Sequence, residues 1–262
     1  MRKEFIRHGK CIWCCKEKPE VTFYNIPHTI SRQLGSTNIG VDICDACNIS
    51  LGTREYNSKY PMSVEVAFKE IFNVSRFLMP DPSGRIQSSR LKSIYFEFYR
   101  SKGILRIKSS FKFQRHFLGN FTRQFKRGVY EAFLQEYHRE TGQAPENRFD
   151  DLRRFVRYDI GDIPLYFADN KGIYLLPEDR DRVFFGFSDE LLSMIDDYGF
   201  YRLWFFGHIL YLAVAPKANI SKEIFLKNAA KQIAAPGFVY SGIKEMNYVT
   251  DLDFSFRKLF NN

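Results

Sequence analysis

The chain has 262 residues, enough for one large or two modest domains, and 45% of them are hydrophobic. The charged share of 26% is ordinary for a globular protein, whereas aromatic residues are frequent at 17%. The longest apolar stretch, residues 203–215, is too short to span a bilayer and contains His208, which argues against a membrane protein.

Cysteine usage and the amino terminus indicate the compartment. Four of the five cysteines form two C-x-x-C pairs, which argues against a disulfide framework and for a reducing environment. Residues 1–10 are basic and polar with no apolar run behind them, so we expect no signal peptide. The sequence therefore predicts a soluble, cytoplasmic protein.

The net charge of +9 is concentrated in residues 90–127. That segment holds eleven Lys or Arg against one acid, Glu97, so the rest of the chain carries about −1. A charge localised in this way is typical of a surface that faces a polyanion.

The first sixty residues are rich in turn formers and have little apolar periodicity, as in small zinc modules where a metal replaces a core. Residues 21–24 and 39–43 are predicted as short strands. A short helix is expected beyond Asn48, ending near Gly52.

The middle of the chain has clearer patterns. Ser63 is expected to cap a helix that ends before the turn cluster at residues 80–84, a linker candidate. Residues 94–99 and 104–108 predict a hairpin. Apolar residues recur every four positions from 121 to 137, which predicts a helix stopped by Gly142.

The last third alternates short apolar runs with helical patterns. The sequence predicts helices near residues 149–156, 189–197 and 221–234, and strands near 163–167, 173–176, 183–187 and 203–215. The predicted fold class is α+β: a zinc-stabilised ββα module at residues 1–60, a basic helix–hairpin–helix region at 61–145, and an α+β domain with antiparallel strands at 146–262.

The two C-x-x-C pairs predict a structural Zn²⁺ site. Each pair delivers two thiolates from one tight turn, and the 29 residues between the pairs let them face each other. The alternative is four unligated core thiols. Cys15 is expected to be a spare thiol, although it can also replace its neighbour as a ligand. The expected ligands are Cys11, Cys14, Cys44 and Cys47.

The amino-terminal segment resembles the zinc-knuckled HNH (ββα-metal) endonucleases over about a fifth of the chain. The matching text is CIWC at 11–14, FYNIPHTISRQLG at 23–35 and NIGVDICDACNISLG at 38–52. The resemblance implies that His28 is the general base, Asn38 an orienting residue and Asn48 a ligand of a catalytic Mg²⁺, Mn²⁺ or Ni²⁺. It also implies that the four cysteines hold a separate, structural zinc.

One position departs from the family pattern. HNH enzymes usually carry Asp or Glu directly before this histidine as a metal ligand, and this chain has Pro27. Mg²⁺ prefers hard oxygen ligands, so Asn48 alone would be a poor anchor. The candidate replacements for the missing carboxylate ligand are the nearby polar residues Asn25, Asp42, Asp45 and Glu55.

Each candidate catalytic residue also has a structural interpretation. His28 can brace the hairpin by bonding a backbone carbonyl, Asn48 can cap or turn the chain after the second knuckle, and Asn38 can be a turn residue.

The basic segment is expected to bind nucleic acid, DNA in preference to RNA, because cations neutralise phosphates. Aromatic residues lie between the cations, and exposed rings can stack unpaired bases. Alternatively the cations form an ordinary solvated surface and the rings belong to the core. The expected contact residues are Arg100, Lys102, Arg106, Lys108, Lys112, Arg115, Arg123, Lys126 and Arg127.

The leading functional prediction is an HNH-type, metal-dependent endonuclease that hydrolyses phosphodiester bonds. Residues 146–262 would recognise nucleic acid or a protein partner, as in phage-defence or mobile-element effectors that carry HNH modules. The alternative is a catalytically inactive HNH-like zinc module in a nucleic-acid-binding or scaffolding protein, and Pro27 is the observation behind it.

Overall fold

A computed structural model describes residues 2–53, 59–78, 90–99, 102–170, 185–233 and 240–255. The fold is α+β with antiparallel sheets, as predicted. Its helices are α1 (Asp45–Gly52), α2 (Val64–Leu78), α3 (Arg115–Thr141), α4 (Asp150–Tyr158), α5 (Asp189–Tyr198) and α6 (Ala218–Ile233). Its strands are β1 (Phe96–Tyr99), β2 (Ile104–Ile107), β3 (Leu165–Asn170), β4 (Phe200–Phe205), β5 (His208–Ala213) and β6 (Tyr240–Glu245).

Helix α3 is the centre of the molecule. Its 27 residues end where Gly142 adopts a left-handed conformation at φ 77° and donates its N–H to the His138 carbonyl, as the sequence predicts. Gly128 lets α2 approach closely, because a Cβ at this position would lie 2.6 Å from the Cβ of Phe68. Phe72 of α2 and Phe125 of α3 pack between the two helices at a ring distance of 5.4 Å.

The carboxyl-terminal sheet separates two layers of apolar side chains. Its strand order is β4-β5-β3-β6, and every neighbouring pair is antiparallel. One face contributes Leu203 and Leu210 to the main core, where Tyr201 of β4 packs against Phe133 of α3 at 4.8 Å. The other face is covered by α6, whose Phe225 stacks on Phe200 at 4.3 Å.

The prediction of one buried strand at residues 203–215 was wrong. The segment is divided between β4 and β5, which pair through a tight turn with Phe206 at φ 44° and Gly207 at φ 75°. Because the strands on both sides of the turn are buried, apolar residues continue through it and conceal the break.

Several element boundaries also differ from the predictions. Residues 21–24 form no strand, and residues 39–43 pair with the preceding segment through a single bridge between His28 and Ile39. Helix α1 begins before Asn48, and α6 begins three residues before the predicted start at 221. Residues 185–187 are not a strand, while the linker at 80–84 and the strand at 173–176 lie outside the described residues.

The apolar core continues across residues 60 and 145. One cluster of buried side chains includes Trp13, Phe72, Phe133 and Leu212. The division into three domains stays a prediction. Within the described ranges, no helix combines the length and apolar character needed to cross a bilayer.

Candidate functional site

The four predicted ligand cysteines lie together. The Sγ atoms of Cys11, Cys14, Cys44 and Cys47 are all within 4.8 Å of one another, and those of Cys14 and Cys44 are 3.8 Å apart. A tetrahedral Zn²⁺ with Zn–S bonds of about 2.3 Å requires sulfur separations of about 3.8 Å. The cluster therefore fits a structural metal ion of the zinc type.

The first knuckle is a tight turn held by backbone hydrogen bonds. Cys11 donates its N–H to the Lys16 carbonyl at 2.9 Å, and Cys15 donates to the Cys11 carbonyl at 2.9 Å. Cys15 takes φ 59°, a left-handed conformation that few side chains favour. That conformation leaves Cys15 exposed, and the structure places Cys14, not Cys15, in the cluster.

The second knuckle opens helix α1. Cys44 occupies the N-cap position and Cys47 lies in the first turn, so both sulfurs face the first knuckle. The Cys44 N–H donates to Cys11 Sγ at 3.4 Å. Hydrogen bonds within the cluster lower the pKa of Cys44, whereas hydrogen bonds and burial raise the pKa of Cys14 and of Cys47.

Arg157 is a contact that the sequence gave no reason to expect. From α4, its Nε donates to Cys47 Sγ at 3.2 Å and its Nη1 donates to Ser50 Oγ at 2.8 Å. A guanidinium bonded to a ligand sulfur offsets the negative charge that four thiolates place around a divalent ion. Arg157 follows Cys47 by 110 residues, and no motif links the two.

His28 lies on an irregular hairpin. The Thr29 N–H donates to the Asn38 carbonyl at 3.3 Å, and the Gly40 N–H donates to the Pro27 carbonyl at 2.7 Å. The His28 side chain is half-buried, and its Nδ1 is buried without a hydrogen-bond partner. Pro27 is buried.

Asn38 is held by an acidic residue of α3. Its Nδ2 donates to Glu136 Oε1 at 2.9 Å and lies 3.2 Å from Oε2. The Thr29 hydroxyl donates to the same carboxylate, which is 1% exposed, and Arg139 Nε forms an ion pair with it at 2.8 Å. Glu136 therefore connects both sides of the irregular hairpin to α3.

Asp42 is fully used by the fold. Its carboxylate is 0% exposed and accepts the backbone N–H groups of residues 7, 8 and 9 and a hydrogen bond from His138 Nε2 at 3.0 Å. Burial raises the pKa of this carboxyl, but the hydrogen bonds from His138 and the backbone outweigh burial and lower the pKa to about 2.

Asp45 is similarly committed. It accepts the hydroxyl of Thr22 and the backbone N–H groups of Tyr24 and Asn25, at 2.9 Å and 2.7 Å respectively. These bonds tie the start of α1 to the segment before His28. Asp42 and Asp45 thus have structural partners, and Glu55 lies outside the described residues.

Asn48 lies inside α1, with its backbone N–H donated to the Cys44 carbonyl at 2.9 Å, so it is not a cap. Its side chain is half-exposed. Within the described ranges, the cysteine cluster is the one group of three or more Cys, His, Asp or Glu side chains close enough to hold a metal. The described residues thus place no such group at His28.

The basic segment divides into an exposed part and a buried part. Lys102, Arg106, Lys112 and Arg115 are exposed, and half-buried Lys108 donates from Nζ to the Ser93 carbonyl at 2.6 Å. Arg100 lies outside the described residues.

Three predicted nucleic-acid contacts are turned into the protein instead. Lys126 and Arg127 are 6% and 4% exposed, and Lys126 Nζ pairs with Asp162 at 2.7 Å. Arg127 donates to the Val156 carbonyl, and partly buried Arg123 pairs with Asp159 at 2.6 Å. Burial contradicts the prediction for Lys126 and Arg127, because α3 is covered by α4 and the chain that follows it, whereas Arg123 stays a predicted contact.

The aromatic residues of the segment divide in the same way. Most of them pack in the core, as the alternative interpretation predicted. The buried rings are Tyr95, Phe96, Phe111, Phe117, Phe121 and Phe125. Tyr99 and Phe113 are exposed, at 37% and 67%.

The chain matches no protein-family model, no curated protein and no solved structure.

Proposed function

We propose that the chain is an endonuclease of the HNH type, with His28 as the general base. The observation that carries the proposal is half-buried His28 on the irregular hairpin, whose Nδ1 has no hydrogen-bond partner among the described residues. A buried ring nitrogen without a partner is costly unless a water or ligand bonds to it. A histidine that a bound substrate or water can reach is suited to take a proton from an attacking water.

The surrounding residues support this role by positioning. Glu136 holds Asn38 and Thr29, on the two sides of the hairpin, and Asn38 is thereby an orienting residue. A structural zinc bound by the cysteine centre would fix the start of α1, which carries Asn48. The half-exposed Asn48 amide can hydrogen-bond a phosphate oxygen of the substrate. Because no group of three or more described Cys, His, Asp or Glu side chains lies at His28, the proposal assigns proton transfer and orientation to this chain.

The test is cleavage of nucleic acid by the zinc-loaded full chain. Supercoiled plasmid and a long RNA are incubated with Mg²⁺, Mn²⁺ or Ni²⁺, and wild type is compared with His28→Ala and Asn48→Ala. We expect strand cleavage by wild type and a loss of about a hundredfold or more in His28→Ala. His8→Ala, in the same module, is the matched control. No cleavage under any condition would overturn the proposal.

A second candidate function is binding without catalysis. The observation that favours it is that Pro27 replaces a carboxylate while Asp42 and Asp45 are committed to backbone N–H groups. It predicts salt-sensitive nucleic-acid binding that is unchanged in His28→Ala. Cleavage by purified wild type that disappears in His28→Ala would exclude it.

A further inference from the structure

The exposed part of the basic segment has an unusual surface, formed by β1, β2 and residues 108–116 and here named the hairpin surface. The strands pair in register, with Glu97 opposite Arg106 and Tyr99 opposite Ile104. Phe96 and Phe98 lie on the face of the hairpin that is turned toward the core, where Phe98 packs against Phe77 of α2 at 5.4 Å. The face that carries Glu97, Tyr99 and Arg106 is therefore turned away from the core.

Two aromatic side chains of these elements are exposed, Tyr99 at the end of β1 and Phe113 in the segment that follows β2. The Arg106 guanidinium lies 5.1 Å from the centre of the Tyr99 ring, and the Tyr99 hydroxyl donates to Glu97 Oε2 at 2.8 Å. These contacts hold the Tyr99 side chain in one orientation. Phe113 is 67% exposed and contacts the buried ring of Phe111 at 5.3 Å. It stands one residue after Lys112 and two before Arg115.

Exposed cations lie on the same elements as the two rings, and Arg106 contacts Tyr99 directly. Lys102, Arg106, Lys112 and Arg115 are all exposed, and among the described residues of these elements Glu97 is the one acid. These four cations disfavour burial of the rings against an uncharged protein surface, which would desolvate the charges, or against a basic one, which would repel them. A polyanion that also presents flat apolar faces matches both features. Nucleic acid with unpaired bases has this chemistry, because its phosphates pair with cations and its bases stack on rings.

We propose that the hairpin surface binds single-stranded or locally unpaired nucleic acid, with bases stacked on Tyr99 and Phe113 and phosphates held by Lys102, Arg106, Lys112 and Arg115. In paired duplex the bases are already stacked and cannot reach the rings, so duplex binds through its phosphates alone. The inference deepens the proposed function by naming its substrate class, and it rests on that function for the choice of nucleic acid as ligand. It does not require His28 to be active.

The experiment measures binding of the zinc-loaded full chain by fluorescence anisotropy. The probes are a mixed-sequence single strand of about 20 nucleotides, as DNA and as RNA, and the blunt DNA duplex of the same sequence. All measurements use His28→Ala as background so that no probe is cut. We expect the single strands to bind at least about tenfold more tightly than the duplex at about 150 mM salt.

The variants separate stacking from charge. Tyr99→Ala and Phe113→Ala are each expected to weaken single-strand binding by about fivefold to a hundredfold, with duplex binding and the salt dependence unchanged. Lys112→Gln and Arg115→Gln are expected to weaken single strand and duplex alike, and each to lower the slope of log K against log salt by about 1. Ile220→Ala and Lys227→Gln, exposed positions of α6, are the matched controls.

The outcomes are distinguishable from those of the nuclease test. Equal binding of single strand and duplex, or ring variants without effect, would overturn the inference, and so would the absence of binding at about 50 mM salt. Strong single-strand preference in a protein that cuts nothing would support the inference while the proposed activity fails. Zinc content and circular dichroism of each variant show that it is folded, since the substituted side chains are exposed.

Discussion

The cysteine centre and the His28 hairpin lie in the same fifty residues but are held in different ways. All four sulfurs of the centre come from residues 11–47, so its ligand set is local. The hairpin and the chain after it are instead anchored to α3, by Glu136 on Asn38 and by His138 on Asp42, across 98 and 96 residues. The centre can therefore be recognised from spacing, whereas the hairpin depends on the rest of the protein.

The largest expected effect comes from the cysteine centre. Cys44→Ser removes one of four ligands, and structural zinc sites contribute about 10 kcal/mol or more to folding. We expect loss of bound zinc, measured by elemental analysis, and a lower midpoint of thermal unfolding for the whole chain. Cys15→Ser is the matched control, since that thiol lies outside the cluster. Equal zinc content in Cys44→Ser and Cys15→Ser would contradict the assignment of Cys44, and not Cys15, to the metal site.

The next effect tests the anchoring of the chain after the hairpin. Asp42→Ala leaves three backbone N–H groups and His138 without their buried acceptor, and we expect a cost of about 3–5 kcal/mol in the free energy of unfolding. Denaturant unfolding of zinc-loaded protein measures it. Asp151→Asn, at an exposed position of α4, is expected to change stability by less than about 0.5 kcal/mol. A small effect at Asp42 would mean that α3 is not the anchor.

The same carboxylate predicts a pH dependence. Its pKa is about 2 in the folded protein and 3.8 ordinarily, so its contribution is present above about pH 4 and is lost as the pH falls through about 2. A shift of this size corresponds to about 2 kcal/mol. The stability difference between wild type and Asp42→Asn should therefore narrow by that amount between about pH 5 and pH 2. A difference independent of pH would contradict the charged hydrogen-bond network.

Glu136→Gln tests whether Glu136 anchors the His28 hairpin to α3. The substitution keeps the size of the side chain but weakens its bonds to Thr29, Asn38 and Arg139, at an expected cost of about 1–3 kcal/mol. Hydrogen exchange should show faster opening of residues 28–40, with the cysteine knuckles unchanged. Glu140→Gln removes an exposed acid that also pairs with Arg139 and should leave the hairpin protected. Equal protection in both variants would contradict the anchoring role of Glu136.

The smallest effect tests whether the cysteine centre is wholly local. Arg157→Met removes the donor to Cys47, and we expect zinc affinity to fall by about tenfold, or about 1.4 kcal/mol. Competition with a chromogenic chelator measures the change. Arg154→Met, on the same helix and exposed, is the control. A loss far larger than tenfold would mean that α4 shares fully in holding the metal.

Periodicity and turn chemistry revealed much of the fold. The repeat of apolar residues through 121–137 and the stop at Gly142 correspond to α3, and the pattern around Lys102-Gly103 corresponds to the β1–β2 hairpin. The run at 203–215 was misread, since a turn between two buried strands has no polar residues to mark it. At the site, cysteine spacing predicted the cluster, but nothing marked Glu136, His138 or Arg157 as its neighbours.

The sequence by itself determined which four cysteines cluster, the main helices and the position of the basic segment, because spacing and periodicity are local properties of a chain. The tertiary structure alone decided which cations of that segment face solvent. Lys126 and Arg127 are buried against Asp162 and Val156, while Lys112 and Arg115 remain exposed. Residue type alone does not distinguish a buried lysine or arginine from an exposed one, because the packing of distant elements sets whether the charge meets an internal partner or solvent.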